Sequence, residues 1–222
     1  MVTKIPLNAS SETWRMFRVI SEFVNGIETL ANIGPCVSVF GSARTEPDDK
    51  YFKMAVEIGK LCAQNNYGVI TGGGPGIMEA AHIGAAEANG KAIGLNIKLP
   101  MEQHPNKYQN IQLDFHYFFV RKVMFLRFCS AVVVFPGGFG TLDEAFEVLT
   151  LIQTEKTQKI PLILIGKDFW QGMMDWIEKA MLVENKYISP EDPDLLYLTD
   201  DPNEALDIIN EFNKNRKNAI NF

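Results

Sequence analysis

The chain is predicted to be an α/β protein, a doubly wound, mostly parallel, Rossmann-like sheet with helices on both faces. Two observations carry this. Short, nearly continuous β-branched runs alternate with amphipathic segments along the chain, as they do where crossover helices cover a parallel sheet on both sides. Two of those runs also pass through clustered glycines directly into helical periodicity, at TGGGPGIMEA (71 to 80) and PGGFGTLDE (136 to 144).

The elements follow in order. Ser11 can cap an N-terminal helix, about 10 to 32, that carries Trp14, Phe17, Ile20, Val24 and Ile27 at three- and four-residue steps. This stripe needs a surface to cover, on the same subunit or on a partner. The strands are CVSVF (36 to 40), GVIT (68 to 71), AIGLNI (92 to 97), AVVVF (131 to 135), PLILIG (161 to 166) and LLYLT (195 to 199). Between them, helices are predicted at about 49 to 65, 76 to 89, 117 to 129, 141 to 156 and 168 to 182. A last helix starts with Asp201 as cap and Pro202 at its first position, with Ala205, Ile208, Ile209 and Phe212 on one face. The one irregular stretch, LPMEQHPNKYQN (99 to 110), is long enough to be a lid or pocket wall. No repeat or linker interrupts the pattern, so residues 1 to 222 are expected to form a single nucleotide-binding α/β domain.

Composition narrows the function classes. With 222 residues and 46% hydrophobic content the chain can bury one substantial core. A net charge of −6 and a pI near 5.2, with no basic run, argue against a nucleic-acid partner. Cys36, Cys62 and Cys129 have no metal-like spacing and read as small buried hydrophobes, reduced in a cytoplasm. No window is apolar enough to cross a membrane and the N-terminus has no leader-like apolar segment, so a soluble, cytoplasmic protein is expected.

In an open parallel sheet ligands sit beyond the carboxyl ends of the strands, where strand order reverses. Three loops leave strands there: GSAR (41 to 44), TGGGPGIMEA and PGGFGTLDE. In the last two, glycines lead into a helix, so backbone N–H groups and the helix dipole can face an anion without Cβ obstruction. Neither G-x-x-x-x-G-K-S/T nor G-x-G-x-x-G occurs, which excludes a P-loop NTPase and disfavours a dinucleotide cofactor. A mononucleotide is the economical ligand.

The third loop then turns acidic. Thr141 to Glu144 fits a capping box, which gives Glu144 a purely structural reading worth only about 0.3–1 kcal/mol at an exposed site. Alternatively Glu144, at the margin between the buried side (Ala145, Val148, Leu149, Ile152) and the polar side (Asp143, Glu147, Thr150), adjoins whatever the glycines bind. In FHYFFVRKVMFLRF (115 to 128), Arg121 and Lys122 interrupt an aromatic helix. Cations there either snorkel to solvent or anchor a carboxylate or phosphate.

Taken together these residues resemble the Lonely Guy (LOG) family. PGGFGTLDE matches the family signature PGGxGTxxE, YFFVRKVMF its Arg-Lys motif, TGGGPGIMEA its first glycine loop, and GLNIKLPMEQHPN its longer bacterial variety, over roughly residues 35 to 185. The resemblance implies a phosphoribohydrolase, without cofactor or metal. It would split the N-glycosidic bond of a nucleoside 5′-monophosphate, an N6-substituted AMP or AMP, into free base and ribose 5-phosphate. It implies catalytic Arg121 and Glu144. Substrate would be bound by Gly41, Ser42, Gly73, Gly74, Met78, Glu102, Lys122, Gly137, Gly138, Phe139, Gly140, Thr141, Glu147 and Thr150, with the phosphate on Gly137 to Thr141. A homodimer or higher homo-oligomer is also implied. A His common before the Arg-Lys pair is replaced here by Phe119-Val120, and the first motif departs from the plant form. Relatives often carry a lysine decarboxylase label, yet Lys98, Lys122 and Lys167 stand in no recognisable pyridoxal phosphate setting. Two further readings share the fold: an AMP nucleosidase of purine salvage, and a nucleotide or molybdopterin carrier that does not cleave.

Bond breaking at C1′ develops oxocarbenium character, which a carboxylate below the ring offsets while it takes a proton from water. His82, His104 and His116 read as structural or surface residues, and Asp143 is a weak candidate for the acid that protonates the leaving base.

Overall fold

Parallel pairing of near-continuous apolar runs builds the centre of the molecule. The computed structural model describes residues 9–99, 104–214 and 221. Its strands are β1 (Cys36–Phe40), β2 (Gly68–Thr71), β3 (Ala92–Ile97), β4 (Ile111–Phe115), β5 (Cys129–Val134), β6 (Leu162–Ile165) and β7 (Leu196–Thr199). They form one sheet in the order β4-β3-β2-β1-β5-β6-β7, every neighbouring pair parallel. The chain winds outward from β1 to β4, returns to the other side of β1 as β5, and winds outward again. Strand order therefore reverses between β1 and β5.

The helices are α1 (Ala9–Leu30), α2 (Lys50–Gln64), α3 (Ile77–Glu87), α4 (Phe118–Arg127), α5 (Phe139–Gln153), α6 (Lys167–Trp176) and α7 (Pro202–Asn213), and α6 continues as a π-helical stretch, Ile177–Glu184. Side chains of α2, α3 and α7, among them Ile58, Ala81 and Ile209, cover one face of the sheet. Phe125 and Met124 of α4, Val148 of α5 and Trp170 of α6 cover the other. All three cysteines are buried and form no disulfide among the described residues, and burial pushes the thiols of Cys36 and Cys62 up to about 12, so they pack as hydrophobes.

The structure departs from expectation at four places. Ile111–Phe115 is a seventh strand that the sequence reading passes over; it is an edge strand with alternating burial, and its short polar-apolar alternation is weak against the loop before it. Helix α4 ends at Arg127 because Cys129 already pairs with Cys36 in the sheet. Helix α5 starts two residues earlier than expected, with Gly138 as cap in an extended conformation, and stops before Glu155, which has a positive φ of 55°. Helix α1 begins at Ala9, so Ser11 lies within its first turn.

Helix α1 docks through a face other than the predicted stripe. Val19 and Leu30 are buried, Gly26 lies against the Met124 side chain, and Glu22 accepts hydrogen bonds from the backbone N–H groups of His116 and Tyr117 at 2.9 and 3.3 Å. That carboxylate sits at the amino end of α4, where it satisfies orphan donors and favours the dipole. Trp14, Phe17, Ile20, Val24 and Ile27 are all left exposed by this chain, Trp14 at 64%.

Helices α2 and α3 approach closely because Gly59 and Gly84 face each other's backbone: a Cβ at Gly84 would overlap the carbonyl oxygen of Val56. Overpacking of this kind costs about 1–3 kcal/mol. Gly84→Ala is expected to lower the urea midpoint accordingly, whereas Gly172→Ala, which meets open space, leaves it unchanged or raised.

Candidate active site

The reversal of strand order opens a crevice between the loops that follow β1 and β5. Phe135 N–H donates to Phe40 O at 2.8 Å and Ser42 N–H to Pro136 O at 3.0 Å, so both strands end at one level. Ile77 N–H donates to Ser42 O at 3.0 Å, which ties the start of α3 to the same loop. The resulting cleft has a volume of about 650 Å³, ample for a mononucleotide. Of the residues named from sequence, Gly41, Ser42, Met78, Arg121, Gly138, Phe139, Gly140, Thr141 and Glu144 line it together. Asp143, the weak candidate for the acid, lines it as well, and so do residues not named for it: Gly72, Ala43, Arg44 and an apolar wall of Ile97, Leu99 and Phe118.

The other named residues lie around the cleft. Gly73 and Gly74 face a small hollow beside it, with Gly72, Asn96 and Pro105. Gly137 lies beneath Thr141, whose side chain would overlap any Cβ there. Lys122 and Glu147 form an ion cluster behind the lining. Thr150 turns its hydroxyl to Phe146 O at 2.7 Å and borders a separate hollow near the π-helical stretch. Glu102 lies outside the described residues.

The capping-box alternative does not survive the geometry. Because α5 begins at Phe139 with Gly138 as cap and no side-chain cap bond, Thr141 is inside the first turn and Glu144 in the second. Among the described residues the Thr141 hydroxyl has no hydrogen-bond partner, and it borders the cleft. Phe139, at the tip of the glycine loop, is 92% exposed.

Arg121 is held at the cleft floor. Its guanidinium carbon stands 5.0 Å from the Phe125 ring centroid and the group lies directly over Gly72, where a Cβ would collide with it. Its Nε is buried without a partner. Burial lowers the guanidinium to about 10, with Glu144 acting the other way, so it stays charged at neutral pH. Lys122 Nζ bridges three carboxylates of α5: Glu147 at 2.7 Å, Asp143 at 2.9 Å and Glu144 at 3.8 Å. Burial works against the ammonium, but the bonds to Glu147 and Asp143 hold it above its ordinary range. Glu144 has a side chain only 14% exposed. Burial pushes its carboxyl up to about 7; Lys122 and Arg121 restrain the rise, while Glu147 and Asp143 add to it. A carboxyl group poised near neutrality beside a fixed guanidinium is suited to moving a proton at physiological pH.

A buried polar network holds the first glycine loop. Gly73 O accepts from Asn106 N at 2.8 Å, Asn106 Nδ2 at 3.1 Å and Gln109 Nε2 at 2.8 Å, and Gly73 N donates to Thr71 Oγ1 at 2.9 Å. Asn96 pairs with Gln109, and His82 contacts Thr71, Asn106 and Ile93 O. Burial lowers His82 to about 4, so it is neutral. Thus the segment after β3 wedges the glycine loop in place. The one sequence signal for this was Asn96 inside an otherwise apolar strand.

Comparison with known proteins agrees with the motifs. A family model described as "Possible lysine decarboxylase" matches residues 78–209. The chain belongs to this family, the Lonely Guy (LOG) family. It is 28% identical over 160 residues to a cytokinin riboside 5′-monophosphate phosphoribohydrolase of Arabidopsis thaliana, covering 69% of this chain and 72% of that one. It is 26% identical over 150 residues to the enzyme of that name from Rhodococcoides fascians, 65% of this chain and 74% of that one. Its fold is similar to that of the molybdenum cofactor binding protein of Rippkaea orientalis, with a TM-score of 0.60 and 22% identity over 80% of this chain and 96% of the other. Pyridoxal phosphate, which a decarboxylase would need, does not fit this LOG-family cleft. Among the described residues no lysine lines it, and Lys122, behind the lining, is locked as an ammonium among three carboxylates, unlike the neutral amine a Schiff base requires. Among the described residues, no helix is long and apolar enough to cross a membrane.

The raised carboxyl has a consequence for stability. Glu144 binds its proton more tightly folded (about 7) than unfolded (near 4.5), so its favourable contribution is complete below about pH 4.5 and is lost as pH rises through 7. Glu144→Gln cannot ionise. It is expected to be more stable than the parent at pH 8 by on the order of 2 kcal/mol, with the gap closing toward pH 4.5 in paired urea melts.

Proposed function

We propose that the protein is a phosphoribohydrolase that cleaves the N-glycosidic bond of an adenosine-type nucleoside 5′-monophosphate. The observation that carries this reading is the buried Glu144 beside Arg121, one helical turn beyond the loop Gly138 to Thr141 in a nucleotide-sized cleft. The helix start and the unpartnered Thr141 hydroxyl supply donors for a 5′-phosphate. Phosphate anchored there places the ribose over Glu144, whose carboxylate offsets oxocarbenium charge and takes a proton from the attacking water. Arg121, rigid between Phe125 and Gly72, orients ribose hydroxyls and Glu144. Lys122 keeps part of Glu144 ionised at neutral pH. Phosphate binding is remote from the broken bond and so can be used to position the sugar. The apolar wall of Ile97, Leu99 and Phe118 suits a base with an apolar N6 substituent, and the plant and bacterial relatives are named for a cytokinin riboside 5′-monophosphate.

The protein is incubated with AMP and with N6-isopentenyl-AMP, and free base and ribose 5-phosphate are followed by chromatography. Release of both products is expected, with the prenylated substrate faster; a faster AMP reaction would favour the salvage reading, and tight binding with no release the carrier. Glu144→Gln should lose ~10²–10⁴ in kcat with little change in KM, and the parent's rate should climb through a limb near pH 7 as Glu144 ionises.

The uncovered stripe on α1 supports a homodimer or larger homo-oligomer in this reading, since a row of five large apolar side chains at 38% to 64% exposure is costly in water. Light scattering of a Phe17→Glu, Ile20→Glu double variant should report a smaller mass than the parent while its circular dichroism is retained.

A further inference from the structure

The charges around the cleft leave a phosphate dianion under-compensated. Among the described residues only two cations line the cleft, Arg44 and Arg121. Arg121 is buried at its floor, stacked on Phe125 and opposed to Glu144. Lys122 is taken up by Asp143, Glu144 and Glu147. The amino end of α5 offers an effective half charge, against roughly −1.5 to −2 for a phosphate monoester at pH 7. Asp143, 63% exposed on the lining, adds repulsion of its own.

Arg44 is different from the other cations. It is exposed on the cleft wall and no carboxylate among the described residues pairs with it. Its backbone is nevertheless fixed. Arg44 N–H donates to Ser42 Oγ at 3.0 Å, and Ser42 N–H donates to Pro136 O at 3.0 Å, the residue just before Gly137 and Gly138. On the other flank Gly76 packs against Ser42 O and Ala43. A long cationic side chain is therefore projected from a rigid loop bonded directly to the glycine loop across the crevice.

We infer that Arg44 is a substrate-binding residue that clamps the 5′-phosphate against the glycine loop and so sets the preference for nucleotides over nucleosides. The identity of the anion rests on the phosphoribohydrolase reading; the clamp itself needs only a sugar phosphate. A guanidinium serves because its forked donors can meet two phosphate oxygens at once. Binding swings only the Arg44 side chain over the phosphate while the backbone of residues 42–44 stays fixed, and Glu144 and Arg121 remain at the ribose.

The test uses the full chain and the variants Arg44→Gln and Arg44→Lys, with ribose 5-phosphate and ribose as calorimetric probes and AMP as substrate. Arg44→Gln should weaken ribose 5-phosphate binding about ten- to a hundredfold and flatten its salt dependence. KM for AMP should rise by a similar factor with kcat changing far less, and Arg44→Lys should recover part of both. Unchanged thermal melting establishes that the variants are folded. Parent-like affinity of Arg44→Gln for ribose 5-phosphate, or no binding of ribose 5-phosphate by the parent, would overturn the inference. Arg44-dependent binding in a parent that releases no base from AMP would keep the clamp and remove the hydrolase reading.

Discussion

The parallel pairing of β1 with β5 is the constraint on which the rest depends. The two strands are far apart in sequence and are joined in register from Val37 opposite Ala131 to Phe40 opposite Val134. Because the windings to either side of this pair run in opposite directions, no crossover helix packs over the carboxyl ends of both strands, and the loops there must diverge. Every lining residue with chemistry to offer leaves from this divergence or is braced against it. Two backbone hydrogen bonds, from Phe135 to Phe40 and from Ser42 to Pro136, hold the edges of the crevice at one height. A displacement of either strand by one residue would turn its alternate side chains to the opposite face and take the two loops out of mutual reach.

Around that crevice the charges are arranged as opposed sets. Three carboxylates on two turns of α5 would repel one another in water, and burial of one of them raises the cost. Lys122 offsets this from α4, an adjacent helix whose start is itself fixed by Glu22 of α1. The N-terminal helix thus acts at a distance: by capping α4 it fixes the direction from which Lys122 and Arg121 enter. The first glycine loop is braced in the same manner by a polar network that converges on the single carbonyl of Gly73. A carbonyl that accepts three bonds cannot rotate, and the loop that bears Gly72 under the Arg121 guanidinium is rigid for that reason.

Much of this was legible in the residues. Parallel strands buried on both faces are apolar throughout, so five of the seven could be read directly, the edge strand Leu196–Thr199 was read from its own short apolar run although it is only half-buried, and glycines between strand and helix marked the loops that need bare backbone. The seventh strand, Ile111–Phe115, was not legible: at the sheet edge only one of its faces is covered, and five alternating residues carry little signal. Helix α1 was seen for its strongest stripe, but its contact with the sheet is made through smaller and fewer residues such as Val19 and Gly26. Hydrophobic periodicity reports which face is apolar, not which neighbour is within reach.

The sequence by itself determined the fold class and the two glycine loops, since each depends on local periodicity or on a short contiguous motif, and its resemblance to the LOG family singled out Arg121 and Glu144. Tertiary structure alone decided that Glu144 is a buried acid near neutrality rather than a cap, because that depends on where α5 starts and on what Lys122 and Arg121 bring from another helix. It decided likewise that Asn106, Gln109 and His82 brace a loop some thirty residues away in the case of Asn106 and Gly73, and that Arg44 lines the same cleft as the glycine loop. Desolvation and opposed charge are properties of a place, and that place exists only once distant segments of the chain have met.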